Sequence, residues 1–160
     1  MIGFERTFDY DEAYREIPKF WDEFLSKNCH DTTNPETSKQ IISIATACKV
    51  GEYGICIDDS PEKNAFRYMI AGIYNGGDVP KGMTIYEVPA LEWVKFRCVG
   101  SMPGALQAMN TKIYKEWLPG NTEYEIAESI DMEWYSDGDN ESADYESAIW
   151  IPVKKRQTER

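Results

Sequence analysis

A chain of 160 residues, 42% hydrophobic and 13% aromatic, suits one domain of ordinary size or two small repeats sharing a core, and is too apolar for disorder. Its net charge of −11 argues against nucleic acid as a direct partner, because phosphate binding needs clustered Lys and Arg, and the one basic cluster, Lys154-Lys155-Arg156, reads as a solvated tail. Met1-Ile2-Gly3-Phe4 runs straight into charged residues and no apolar stretch approaches a membrane span, so neither a secretory signal nor a membrane partner is expected, and the expected location is cytoplasmic.

In chain order, Ile2 to Phe8 has the alternation of a short strand. A helix follows, with Ala13, Ile17, Phe20, Trp21, Phe24 and Leu25 at helical spacing. Asp9 or Asp11 is placed to cap it, and Pro18 predicts a kink or a restart. The polar stretch Asn28 to Lys39, with Asn34-Pro35 as a breaker, reads as loop, and the apolar run Ile41 to Val50 as helix. Tyr53 to Ile57 and Phe66 to Gly72 are strand-like around the turn-rich Asp58-Asp59-Ser60-Pro61. A glycine-rich connector ends at Met83. Leu91 to Cys98 predicts a strand with Val94, Phe96 and Cys98 on one face and Trp93, Lys95 and Arg97 on the other. Gly100-Ser101-Met102-Pro103 opens a helix with Leu106, Met109, Ile113 and Trp117 on one stripe, stopped by Pro119-Gly120. Ile130 to Tyr135 and Ser147 to Val153 complete the strands, around an acidic turn that reads as solvated loop.

The order is strand, helix, strand, strand, stated twice. Phe20-Trp21-Asp22-Glu23-Phe24-Leu25 echoes Ile113-Tyr114-Lys115-Glu116-Trp117-Leu118 at the same point of each copy, which supports two βαββ units over about 1–75 and 85–154. Ten Tyr, five Trp and six Phe exceed the needs of a small core and fit a surface that must be apolar yet offer polar handles.

The four cysteines (Cys29, Cys48, Cys56 and Cys98) show no Cys-x-x-Cys spacing, and His30 is the single histidine. That inventory supplies no metal site and no cofactor, and reduced thiols are expected. Cys29 and His30 adjoin in a polar loop where nothing would orient a nucleophile against a base, which disfavours hydrolase triads and dyads.

Tyr86-Glu87-Val88-Pro89-Ala90, Trp93 to Cys98, Gly100-Ser101-Met102-Pro103, Glu116-Trp117-Leu118-Pro119 and Ile149-Trp150-Ile151-Pro152-Val153-Lys154 form an ordered set. Together with Ile17 to Phe24, this set resembles the gyrase-inhibitor-like (GyrI-like) effector-binding family across nearly the whole chain. The resemblance implies an α+β fold of two βαββ repeats related by a pseudo-two-fold, with a ligand cleft between them. It implies a small-molecule sensor or sequestering module of the kind that AraC-type and MerR-type transcription regulators carry, also known free-standing. Some free-standing members are reported to hydrolyse cyclopropane-bearing toxins, and the gyrase inhibitor itself acts by protein interaction, so both remain alternatives. Members usually begin with a longer first strand, so either that strand is short here or the chain is a piece of a longer protein with its own DNA-binding domain.

Drug-sensing members hold cationic aromatic ligands with aromatics and carboxylates, and Glu133 matches one such carboxylate. Period-2 alternation pairs Glu133 with Tyr135, and Met132 with Trp134. The apolar pair is expected to pack against a helix, leaving Glu133 and Tyr135 for the cleft and, in an enzyme, for catalysis. The second family carboxylate is replaced by Ala148. Glu146, on the same face, either compensates in part or faces solvent. Trp150 on that face is a stacking or cation–π platform. Trp21, Tyr68 and Trp93 are further candidate cleft residues, whereas Trp117 is assigned to the core. The expected ligand is an aromatic or amphipathic, cationic small molecule.

Overall fold

Ile2, Phe4 and Phe8 point to one face of the first eight residues after Met1, and their burial there makes this segment an extended strand packed on that side. In a computed structural model, which describes residues 1–26 and 34–158, this strand is β1 (Ile2–Asp9). Two compact units follow one another along the chain, Met1–Val88 and Pro89–Arg160. Strands pair antiparallel in both, and helices pack on them, so the fold class is α+β.

The first unit continues with α1 (Ala13–Leu25), α2 (Pro35–Ala47), β2 (Tyr53–Ile57), β3 (Ala65–Gly72) and a two-residue β4 (Thr84–Ile85). Its strand order is β4-β1-β3-β2. Register places Phe4 opposite Ile70, Arg6 opposite Tyr68 and Phe8 opposite Phe66, so these six share the face on which α1 lies. Phe20, 1% exposed, seats α1 there, with Ile17, Trp21 and Phe24 around it. Arg6 replaces an apolar residue in this row. Its guanidinium lies 4.3 Å from the Phe20 ring centroid and donates to Glu23 at 2.5 Å, and that hydrogen bond holds the Glu23 carboxyl below its usual range.

Three local expectations are corrected here. Pro18 neither restarts nor ends α1, which runs through it; the packing of Phe20, Trp21 and Phe24 outweighs the one backbone hydrogen bond that proline removes. Neither Asp9 nor Asp11 caps the helix: the N-cap is Glu12, with no side-chain cap bond, and Asp11 instead accepts from Asn64. Pro35 to Lys39 is helix rather than loop. The Asn34 side chain accepts from the Glu36 N–H at 3.0 Å, with Pro35 at the first helical position, so the pair taken as a breaker is a helix start. Cys29 and His30 lie outside the described residues.

The second unit holds β5 (Glu92–Val99), α3 (Gly104–Lys112), a π-helical turn (Ile113–Trp117), a last helical turn (Leu118–Gly120), β6 (Tyr124–Ile126), β7 (Ile130–Tyr135) and β8 (Glu146–Lys155). β8 pairs with β5 along one edge and with β7 and β6 along the other. Leu106, Met109, Ile113 and Trp117 all reach one core cluster, as their spacing predicts, with Cys98, Ile149, Ile151 and Val153 beneath them. Trp117 is a core residue, edge-on to Phe96 at 5.0 Å. Pro119 sits within the last turn, and the helix ends one residue beyond the expected stop. The two shortest strands, β4 and β6, have too few residues for an alternation to register in the sequence.

The β1–β3 pairing is close-packed at Gly3, where an added Cβ would stand 1.9 Å from the Ile70 carbonyl oxygen. Gly3→Ala is expected to lower the unfolding free energy by about 3 kcal/mol in urea denaturation. Gly104→Ala, which meets nothing within 4 Å, should be neutral or stabilising by up to about 1 kcal/mol.

Candidate functional site

The candidate site is built on β7. Asp131, Glu133 and Tyr135 alternate onto one face of that strand, and pairing with β8 sets Glu133 opposite Ile149 and Tyr135 opposite Ser147. Ile149 belongs to the cluster under α3, and Tyr135 packs against that cluster too. Glu133 and Tyr135 therefore lie on the helix side of the sheet. Met132 and Trp134, expected to meet the helix, share the other face with Trp150 and Ala148. Both pairs offer enough apolar surface to face a helix, so the choice is made by strand register, to which alternation along one strand is blind.

The Tyr135 hydroxyl donates to the Glu133 carboxylate. Desolvation dominates this carboxyl and drives its pKa up; the Tyr135 hydrogen bond pulls it back, and the Asp131 charge on the same face adds to the rise. The result is a pKa of about 7, against 4.5 for an ordinary glutamate. Glu133 thus changes charge near neutral pH, beside a phenol and an apolar floor. Ser147, fully buried, lies in register between Tyr135 and Cys98. Burial pushes the Cys98 thiol up, so it is not a ready nucleophile.

The remaining sequence-predicted residues fall elsewhere. Glu146, Ala148 and Trp150 do share one face of β8, and Trp93, Lys95 and Arg97 on β5 share it with them, as alternation predicts. This is the face opposite Glu133. Here Trp150 carries the Lys95 ammonium 3.9 Å from its ring centroid, and Glu146 is ion-paired with Arg97. Ala148 lies between Arg97 and Trp134 across the strands. Trp21 and Tyr68 are in the first unit, where Trp21 Nε1 donates to the Tyr68 hydroxyl at 2.9 Å and Tyr68 is 1% exposed. Asp131, Lys95 and Arg97 are contributors that the sequence reading passed over; alternation along β7 alone puts Asp131 beside Glu133, whereas cross-strand register brings Lys95 to Trp150 and Arg97 to Glu146.

Among the described residues, no group of three or more His, Cys, Asp or Glu gathers around a possible metal position. No helix among them is long and apolar enough to cross a membrane.

An α+β fold of antiparallel strands and packed helices, resembling the GyrI-like proteins in its ordered motifs, defines an effector-binding domain. Residues 1–153 match the Cass2 family of integron-associated effector-binding proteins, and the chain belongs to that family. No curated protein matches it significantly. Among solved structures it is similar to SAV2435 bound to tetraphenylphosphonium, with a TM-score of 0.76 at 20% identity over 96% of this chain and 87% of that one. It is also similar to a protein of Staphylococcus aureus MU50 assigned to bacterial transcription regulation, with a TM-score of 0.67 at 23% identity over 96% and 90%. A third is the integron cassette protein VCH_CASS2 from the mobile metagenome of Vibrio cholerae, with a TM-score of 0.62 at 17% identity over 96% and 88%. At these identities the three establish a shared fold.

The raised Glu133 pKa has a direct consequence for stability. Below pH 4.5 the group is neutral in folded and unfolded chains alike. Between 4.5 and about 7 only the unfolded chain ionises, so stability falls over that window, by on the order of 3 kcal/mol, and then levels off. Subtracting the pH–stability curve of Glu133→Gln from that of the unaltered protein, by urea denaturation, should isolate this step. A flat difference would mean that Glu133 titrates normally.

Proposed function

We propose that this chain binds an aromatic or amphipathic organic cation, with the Glu133 carboxylate as counter-ion and Tyr135 as the group that orients it. The observation that carries the reading is a desolvated carboxyl, hydrogen-bonded to a phenol and poised to ionise near pH 7. In apolar surroundings a carboxylate attracts a cation strongly, because little solvent screens the pair. The same surroundings penalise a small, strongly hydrated ammonium and favour a large cation with spread charge, which loses little hydration on entry. The tetraphenylphosphonium held by SAV2435 is a cation of that kind. Family membership supports the role of a small-molecule sensor or sequestering module related to transcription regulators. Trp150 and Glu146 lie on the opposite face of the sheet, held with Lys95 and Arg97, and Trp21 and Tyr68 pair with each other in the first unit, so the Glu133 reading does not draw on them.

The repeat reading gains support from connectivity. In each unit the first strand pairs with the last full-length strand, which in turn pairs with the one before it: β1-β3-β2 and β5-β8-β7. That is a βαββ element, extended by α2 and β4 in one unit and by β6 in the other.

A carboxyl near pH 7 beside a phenol also suits general acid–base chemistry, and this favours one second reading, hydrolysis of a strained electrophile such as a cyclopropane-bearing toxin. Ring-opened product in mass spectrometry would support it; stoichiometric binding without turnover would sink it.

For the binding reading, tryptophan-fluorescence titration with tetraphenylphosphonium is expected to show affinity rising about tenfold from pH 6 to pH 8, as Glu133 ionises. Glu133→Gln should flatten that dependence and weaken binding at pH 8. Absence of binding at micromolar ligand, or unchanged affinity in the variant, would remove Glu133 from the site.

A further inference from the structure

One edge of the second unit is left open. Among the described residues, β5 pairs with β8 and with no other strand. The Gly100 N–H donates to the Tyr145 carbonyl at 2.9 Å, one step beyond the Val99–Glu146 pair, so the even-numbered residues of β5 are the ones whose backbone bonds to β8. Trp93, Lys95, Arg97 and Val99 therefore turn their N–H and C=O groups the other way, off the sheet. Among the described residues, these groups have no hydrogen-bond partner. The apolar layer stops short at the same edge. Ile149 and Ile151 on β8 are 3% and 1% exposed, whereas Phe96 and Val94, opposite them on β5, are only half-buried. On the other face of β5, Lys95 and Arg97 are exposed.

An added strand would complete both features at once, giving partners to the open backbone groups and covering the half-exposed apolar row. We propose that β5 is a docking edge for an extended segment of a partner protein, one in which acidic and apolar residues alternate. Residues directly opposite each other in an antiparallel ladder share a face. The acidic side chains therefore stand opposite Lys95 and Arg97, and the apolar ones extend the rows Ile151–Val94 and Ile149–Phe96 outward. Charge selects this partner over a second copy of the chain. Two-fold pairing of β5 with itself, centred on Lys95 or on Phe96, sets Lys95 against Lys95 or against Arg97, and like charges directly opposite are destabilising. The cations that block self-pairing thus favour an acidic strand. The net charge of −11 acts over longer distances, where salt screens it beyond about 8 Å. Lys95 lies over Trp150 and Arg97 is ion-paired with Glu146 at 72% side-chain exposure, but neither contact uses the backbone edge, and contacts so exposed are weak. The inference does not depend on the cation-binding reading of Glu133, because β8 stands between β5 and β7.

The test is fluorescence anisotropy of a labelled peptide of alternating Glu and Val, as long as β5, titrated with the full chain; a Lys-Val peptide is its charge-reversed counterpart. Saturable binding of the glutamate peptide alone is expected. In the proposed pairing the glutamate amides face β5 and the valine amides face solvent. N-methylation of the glutamate amides should therefore abolish binding, and N-methylation of the valine amides should preserve it. Lys95→Glu combined with Arg97→Glu should weaken the glutamate peptide more than about tenfold and let the lysine peptide bind, a reversal that loss of structure would not produce. Near-UV circular dichroism checks that the double variant keeps its packing. Absence of binding, equal binding of the two peptides, indifference to glutamate-amide methylation, unchanged affinity in the folded double variant, or a dimer of the chain that excludes the peptide would each overturn the proposal.

Discussion

In the second unit, β8 hydrogen-bonds to β5 along one edge and to β7 and β6 along the other, and these registers govern everything the unit presents. Because side chains alternate along a strand, a slip of one residue on either edge would exchange the two faces of that partner. Glu133 would then lie among Trp150 and Ala148, and Lys95 would be driven beneath α3. The long apolar run Ser147 to Val153 resists this slip, being buried on both faces and locked from both sides. It is the rail on which an acid is held to one face and two cations to the other.

Holding an acid there is unfavourable in itself. The desolvation that lifts Glu133 to a pKa of about 7 is a penalty on the folded state whenever the carboxylate is charged, offset only in part by the Tyr135 hydrogen bond. A residue of this kind adds nothing to folding that an apolar side chain would not improve on, which is a physical reason to look for its use in binding. Its surroundings carry a phenol hydrogen-bonded to it, the apolar cluster under α3, and Asp131 on the same face, whose charge adds to the rise of its pKa.

The first unit handles a similar problem differently. Arg6 stands in the row of Phe4 and Phe8, facing α1, yet its charge is spread over the Phe20 ring and neutralised by Glu23 on that helix. Trp21 and Tyr68 likewise satisfy each other through one hydrogen bond. There the polar groups of the core are paired across the helix–sheet contact. In the second unit, Glu133 keeps a titration within reach of neutral pH.

Local alternation and spacing were enough to place β1, β2, β3, β5, β7 and β8, the stripe of α3, and the pairing of Glu133 with Tyr135, because each of these depends only on residues close in sequence. Helix starts were less legible: Asn34-Pro35 has the same letters as a breaker and as a cap, and only the Glu36 N–H turned onto Asn34 tells them apart. The strands of two and three residues left no pattern at all. By itself the sequence determined the α+β class and the inventory of acidic and aromatic residues. The tertiary structure decided which of them meet. Lys95 lies over Trp150, Arg97 bonds Glu146, and Glu133 is partly withdrawn from solvent only because strands distant in sequence settle into one register. That register comes from the burial of whole faces at once, a cooperative quantity that no single stretch of residues contains.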